Sequence, residues 1–388
     1  MTFHNLFSLR TVCAFYALLA VTILLWYTKM GLQWWDFEGQ WIVANYLWHG
    51  LNPYVSVDPQ VLIRHTLPTV PEGWGTSPWG LLLGQLFYPG YLSYDVARGY
   101  FLCLALLFFL LSGVAALRAF PRHRRHVVFL MLLASVAYIR PAQGGNAGGM
   151  LCLLVCWSLV LHRHHPLLAG LCLSVAMIKP QLALLFCLYM LLTRSWRTLL
   201  TVVVVDTAAW LVVALLLQES PLRLLFDFLA SGIGSDGVYR GLFTLLPLSS
   251  AHSLWTMYAS MLTGVLYVLW FYYRQALLGR QTFSPLAVCV ATTFWSYSWG
   301  GELLILLPLV VNSFLAASSQ QGWQRALNIF IIGYASMGVI IVIALTLLFE
   351  FTPAPSPFHT AMTLYLLLLI VIFCLEKQRK MRFSFAFR

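Results

Sequence analysis

Asp36 follows two tryptophans, Trp34 and Trp35, and precedes Phe37 and Glu38. Aromatic neighbours strip water from a carboxylate, which raises its pKa toward the range useful for a base. The same Asp would serve equally to cap a helix over 37–48. Far along the chain, Ile178-Lys179-Pro180-Gln181 interrupts an apolar stretch. A proline there breaks the helix and frees backbone groups, and such breaks survive in a membrane where they line a cavity. A fixed ammonium suits phosphate, while the alternative is a lysine that snorkels to the interface. Arg140-Pro141-Ala142-Gln143-Gly144-Gly145-Asn146 is polar and glycine-rich, and reads as a binding turn or as a plain tight turn. It carries no nucleotide fingerprint. Trp299-Gly300-Gly301-Glu302 has the same character.

Other reactive residue types carry less. The eight cysteines all lie in apolar runs, with no Cys-x-x-Cys and no histidine at metal spacing, so neither disulfide nor zinc is expected. His162-Arg163-His164-His165 reads as an inner membrane anchor rather than a metal site. Asp206 stands alone among valines and is expected to be neutral or hydrogen-bonded to a neighbouring helix. No carboxylate cluster suits a divalent metal, and neither metal nor cofactor is expected.

The elements that must position these groups are membrane helices. Of the 388 residues, 61% are hydrophobic and only 9% charged, against roughly 25% charged in a soluble domain. Mean hydropathy is +0.82. These values exclude a soluble enzyme, a disordered chain and a disulfide scaffold. The expected fold is all-α and polytopic, a single domain over 1–388. About twelve transmembrane helices are expected near 11–29, 95–117, 126–139, 147–161, 167–178, 181–193, 198–217, 252–273, 284–299, 302–317, 326–349 and 359–375. The first reads as an uncleaved span. The fifth and sixth are short enough to form a hairpin that turns inside the membrane. Two outer loops, 30–94 and 218–251, contain apolar stretches at 41–48, 79–88 and 222–230 that are too short to span and are expected to lie in the interface. Tryptophans along the first loop fit the headgroup level.

Lys plus Arg exceed Asp plus Glu by 23 to 12. The basic residues are scattered over short loops, so the excess reads as the positive-inside bias and not as a nucleic-acid surface. With a cytoplasmic N-terminus, 16 of the 23 fall on inner span ends, Arg163, Arg194 and Arg197 among them. Both termini are then inside. Arg140, Gln143, Asn146, Lys179, Glu302 and the loop bearing Asp36 and Glu38 converge on the outer face. Ionisable groups near a bilayer are costly and mark function. One reading is a site for an enzyme at the outer surface. Another is a transporter or flippase of a lipid or small anion, against which the lack of an internal repeat counts.

Four segments in order resemble the family-87 glycosyltransferases of the polytopic GT-C superfamily. They are Asp36-Phe37 through Gly50-Leu51-Asn52-Pro53-Tyr54, then Thr76-Ser77-Pro78-Trp79-Gly80-Leu81-Leu82, then Gln143 to Asn146, then Ala169-Gly170-Leu171 through Ile178-Lys179-Pro180. The likeness covers roughly residues 30–185. The late family histidine is replaced here by the Ser296-to-Glu302 stretch. The resemblance implies inverting transfer of a mannose-like hexose from a polyprenyl-phosphate donor to a hydroxyl of a lipid-linked or cell-envelope glycan acceptor, on the outer side of a bacterial inner membrane. It implies Asp36 as general base and Lys179 and Arg140 as partners of the donor phosphate. Trp35, Glu38, Asn52, Tyr54, Gln143, Asn146 and Glu302 are the expected substrate contacts. Asp36 is preferred to Glu38 because it follows the aromatic pair and matches the family's Asp. Glu38, in a first helical turn, is more simply a dipole partner. The expected partners are the two substrates and membrane lipids.

Overall fold

Prolines set the starts of the helices. A proline at the first helical position loses nothing, because its missing N–H would have had no partner there, and its fixed φ is already helical. In the computed structural model, which describes residues 35–70, 76–119, 145–233, 253–277 and 285–295, six helices begin in this way. In chain order the helices are α1 (Trp35–Trp48), α2 (Pro59–Arg64), α3 (Pro78–Leu83, continued by a 3-10 turn Gly84–Leu86), α4 (Tyr94–Ala119), α5 (Gly148–Leu161) and α6 (Pro166–Ala176). There follow α7 (Pro180–Leu192), α8 (Trp196–Leu216), α9 (Pro221–Ile233), α10 (Ser253–Leu277) and α11 (Pro285–Trp295). The described residues contain no strand.

Left-handed residues close several of these helices. Gly50, at φ +66°, follows α1, with Gly50 N donating to Leu47 O and Leu51 N to Tyr46 O. This paired pattern satisfies the last carbonyls of a helix. Thr66, Arg194 and Gln218 repeat it after α2, α7 and α8 without the freedom of glycine.

Two helices, Tyr94–Val114 within α4 and Trp196–Leu216 as α8, are long and apolar enough to cross a membrane. Their apolar surface mostly faces outward: Leu200 is 63% exposed and Leu215 78%. Water would penalise such a surface, whereas lipid would not. The molecule therefore fits an all-α membrane protein. α5, α6 and α7 are apolar but run 14, 11 and 13 residues, so each covers only about 17–21 Å of a hydrocarbon core roughly 30 Å thick. The expected spans at 95–117, 147–161, 167–178, 181–193, 198–217, 252–273 and 284–299 correspond to α4, α5, α6, α7, α8, α10 and α11. Those at 11–29, 126–139, 302–317, 326–349 and 359–375 lie outside the described residues.

α6 sits between α5 and α8, and α3 packs on α8. Gly170 of α6 makes the α6–α8 crossing close, because a Cβ there would overlap Thr201 and the Thr198 carbonyl. Ser174 of α6 donates to the Asp206 carboxylate of α8, the neighbouring-helix bond expected for Asp206. The main core joins Phe37, Phe87, Tyr88 and Phe101 to residues of α5, α6, α7, α10 and α11.

The short helices expected at 41–48, 79–88 and 222–230 appear as α1, α3 with its 3-10 extension, and α9. α1 starts earlier than expected, at Trp35, so Asp36 lies inside its first turn rather than capping it. The 85–92 loop clamps α1. Asn45 Nδ2 donates to Gly90 O (2.8 Å), Trp41 Nε1 to Leu92 O (3.2 Å) and Gln85 Nε2 to Ala44 O (3.0 Å). Gly90 presses so closely on the Ala44–Asn45 backbone that no Cβ fits there.

Candidate active site

Three side chains that are distant in sequence meet at the start of α1. Asn146 Nδ2 donates to Asp36 Oδ2 (3.2 Å), and Lys179 Nζ donates to Asn146 Oδ1 (2.9 Å). The orientation of the Asn146 amide is fixed by its own turn, because Gly148 N also donates to Oδ1 (2.7 Å). With the oxygen committed to an N–H and an ammonium, only the NH2 can face the carboxylate. The result is a line of carboxylate, amide and ammonium.

Each member is held by packing. Phe37, next to Asp36, is fully buried against Tyr88, Tyr94 and Phe101, with ring centroids 5.5–5.7 Å apart. The turn carrying Asn146 lies directly on Phe37. Gly145 sits at φ +81°, and a Cβ there would overlap both the side chain and the backbone of Phe37. Glycine is required on both counts. The Tyr88 hydroxyl clasps the same turn, donating to Gly145 O (2.9 Å) and accepting from Ala147 N (3.0 Å). Asn146 itself is buried.

Lys179 stands in the break between α6 and α7, in an extended conformation (φ −110°, ψ 88°) typical of a residue before proline. Pro180 has no N–H, so it cannot close a turn onto the Met177 carbonyl. That carbonyl is taken instead by Trp79 Nε1 (2.9 Å) and Ser77 Oγ (3.4 Å). A Cβ at Gly80 would overlap the Ser77 hydroxyl and the Thr76 methyl, so glycine lets this segment fold tightly on itself beside Ile178. The Thr76-to-Leu82 segment thus acts as a brace for the lysine turn.

Burial pushes the Asp36 carboxyl above the usual carboxylate value, against the opposing pull of the Lys179 ammonium and the Asn146 amide. Oδ2 is taken by Asn146, while Oδ1 accepts no hydrogen bond from a described residue. A half-buried carboxylate with raised proton affinity and one uncommitted oxygen can accept a proton from a bound hydroxyl. A nearby cation can hold an anionic group.

The other candidates separate. Glu38 is exposed, two residues from Asp36 and so off its face of α1. Asn52 and Tyr54 lie past the far end of α1, about 20 Å along its axis. Asn52 Nδ2 donates to Asp227 Oδ2 of α9 (3.0 Å), and its Oδ1 accepts from Tyr54 N (3.0 Å). Tyr54 packs edge-on against Phe228 and its hydroxyl donates to Thr76 O. Thr76 Oγ1 donates in turn to Gln40 Oε1 (2.7 Å), so Tyr54 is tied to the first half of α1 through Thr76. Arg140, Gln143, Glu302 and the Trp35 side chain lie outside the described residues. Gln40, one turn after Asp36 on the same face of α1, was not singled out in the sequence. Nor was Tyr88, for which the sequence holds no signal. Among the described residues no group of three or more His, Cys, Asp or Glu side chains is placed to hold a metal.

The family model of glycosyltransferase family 87 matches residues 78–292, more than half of the chain. The match contains Asn146 and Lys179 and begins after Asp36. No curated protein and no solved structure matches the chain.

Proposed function

Because the chain belongs to glycosyltransferase family 87 and is a glycosyltransferase, we propose that it moves a mannose-like hexose from a polyprenyl-phosphate donor to a hydroxyl of a lipid-linked or cell-envelope glycan. The reaction takes place at the outer face of a bacterial inner membrane. Asp36 Oδ1 takes the proton of the acceptor hydroxyl. The freed oxygen forms its bond to the anomeric carbon from the side opposite the donor phosphate. The bond from that carbon to the phosphate oxygen breaks, its electron pair leaves with polyprenyl phosphate, and the configuration inverts. The leaving phosphate is already an anion, so it needs cations and donors rather than an acid. Lys179 supplies the charge, and Arg140 is the second cation for the phosphate. Gln143, Glu302, Trp35, Glu38 and Gln40 contact the sugars, and Asn52 and Tyr54 support the wall that carries Gln40.

The observation that carries this reading is the Asp36–Asn146–Lys179 line. A carboxylate and an ammonium one amide apart, in a chain whose family transfers sugars, support a proton acceptor beside a phosphate partner. The test is sugar transfer in membranes containing the protein, with radiolabelled mannose presented on polyprenyl phosphate or on a nucleotide. Transfer from the polyprenyl donor with inverted anomeric configuration is expected. Transfer from the nucleotide sugar in membranes that cannot make the polyprenyl form would overturn the donor assignment.

A further inference from the structure

A second polar site lies at the other end of α7 from Lys179, about 20 Å away along a helix of 13 residues. It is a cavity of about 830 Å³. Its walls come from the residues after α5, the start of α6, the α7–α8 link with the first turn of α8, and the last turns of α10. Arg163, Arg194 and Arg197 line it, and no Asp or Glu does. None of the three guanidiniums has a carboxylate within ion-pair distance among the described residues. Arginines that merely mark the inner side of a membrane protein need not surround a cavity of ligand size. Thr198 also lines the cavity, is fully buried, and its hydroxyl has no hydrogen-bond partner among the described residues.

We infer that this cavity binds the phosphate of an anionic phospholipid headgroup. A planar guanidinium can take two phosphate oxygens at once, and further guanidiniums add fixed positive charge around it. The surroundings favour a lipid over a soluble phosphate. Leu167 and Leu168 at the start of α6, Leu200 one turn into α8 and Leu277 at the end of α10 are 49–69% exposed. They leave apolar surface beside the basic mouth, where acyl chains would lie. The charge distribution assigns this end of the bundle to the cytoplasmic leaflet, where basic pockets between helices meet anionic headgroups. The site is separate from the transferase centre, and its occupant need not be a substrate.

The test uses the full-length protein in a neutral detergent. Binding is read by native mass spectrometry and by the thermal midpoint as phosphatidylglycerol, phosphatidylcholine or inorganic phosphate is added. Phosphatidylglycerol should bind at least about tenfold more tightly than phosphatidylcholine and raise the midpoint with concentration. Inorganic phosphate at equal concentration should do little. Replacing Arg163, Arg194 and Arg197 together by Gln should abolish the preference. Arg223→Gln, an exposed arginine of α9, should leave it intact. If the triple variant fails to fold, Arg197→Gln alone decides. Equal binding of the two lipids, or a preference that survives the arginine changes, overturns the inference. A midpoint shift reproduced in full by inorganic phosphate overturns the lipid assignment.

Discussion

At Asp36 two effects oppose each other: burial raises its proton affinity, and Lys179 with Asn146 lowers it. A base works only when deprotonated, so activity should fall as pH drops through the pKa of Asp36. Lys179→Met removes a lowering influence. The pKa then rises, and the acid limb of the kcat profile should move to higher pH, in addition to a fall in kcat/KM of about 30- to 1000-fold if the proposed phosphate contact is lost. An acid limb that stays in place would separate Lys179 from the base. Asp36→Asn keeps the shape of the side chain but takes no proton, so transfer should fall by about 10²–10⁴-fold. Glu38→Gln, on an exposed side chain, should lose much less. Turnover by the purified, folded variants decides between the two carboxylates. Much of this pair was legible in the sequence, because Asp36 follows tryptophans and Lys179 precedes a proline. The amide that joins them was visible only as part of a polar turn.

The elements position the site through close backbone approaches. Gly145→Ala would force a Cβ into Phe37 and strain a left-handed residue. A loss of roughly 3 kcal/mol or more is expected, from the combined strain and overpacking. It should appear as a lower thermal midpoint together with lost transfer, since Asn146 moves with the turn. Trp79→Phe leaves the Met177 carbonyl one donor short. It should cost about 1–3 kcal/mol and weaken donor use, through the lysine turn, more than acceptor use. Gln218→Gly should act in the opposite direction. Gln218 holds a left-handed cap at φ +54°, so glycine there should stabilise the protein by up to about 1 kcal/mol. A midpoint lower than wild type would count against strain at that cap. The helix starts were readable from prolines. The left-handed ends at Thr66, Arg194 and Gln218 were not, because nothing in those residue types marks them.

For the whole molecule, the outer-site reading demands one topology. In a cysteine-free background, Ser56→Cys should react with an impermeant thiol reagent added to intact cells. His164→Cys, beside the basic cavity, should react only after the membrane is opened. The reverse pattern would move the Asp36 site to the cytoplasm and the cavity to the outside. Hydropathy and charge are local properties, summed over about 20 residues at a time, so the sequence alone placed α4, α5, α6, α7, α8, α10 and α11 to within a few residues. It also marked the Lys179–Pro180 break and carried the family resemblance in short motifs. Pairing is not local. The bond from Asn146 to Asp36 joins residues 110 apart in the chain, and the roles of Tyr88 and Trp79 depend on which turns they are packed against. Asn52 and Tyr54 looked like site residues by motif, yet the fold places them at the far end of α1, against α9. The cavity ringed by Arg163, Arg194 and Arg197 read in the sequence only as scattered basic loop ends. Only tertiary packing could bring those ends together, because it alone decides which helix termini meet.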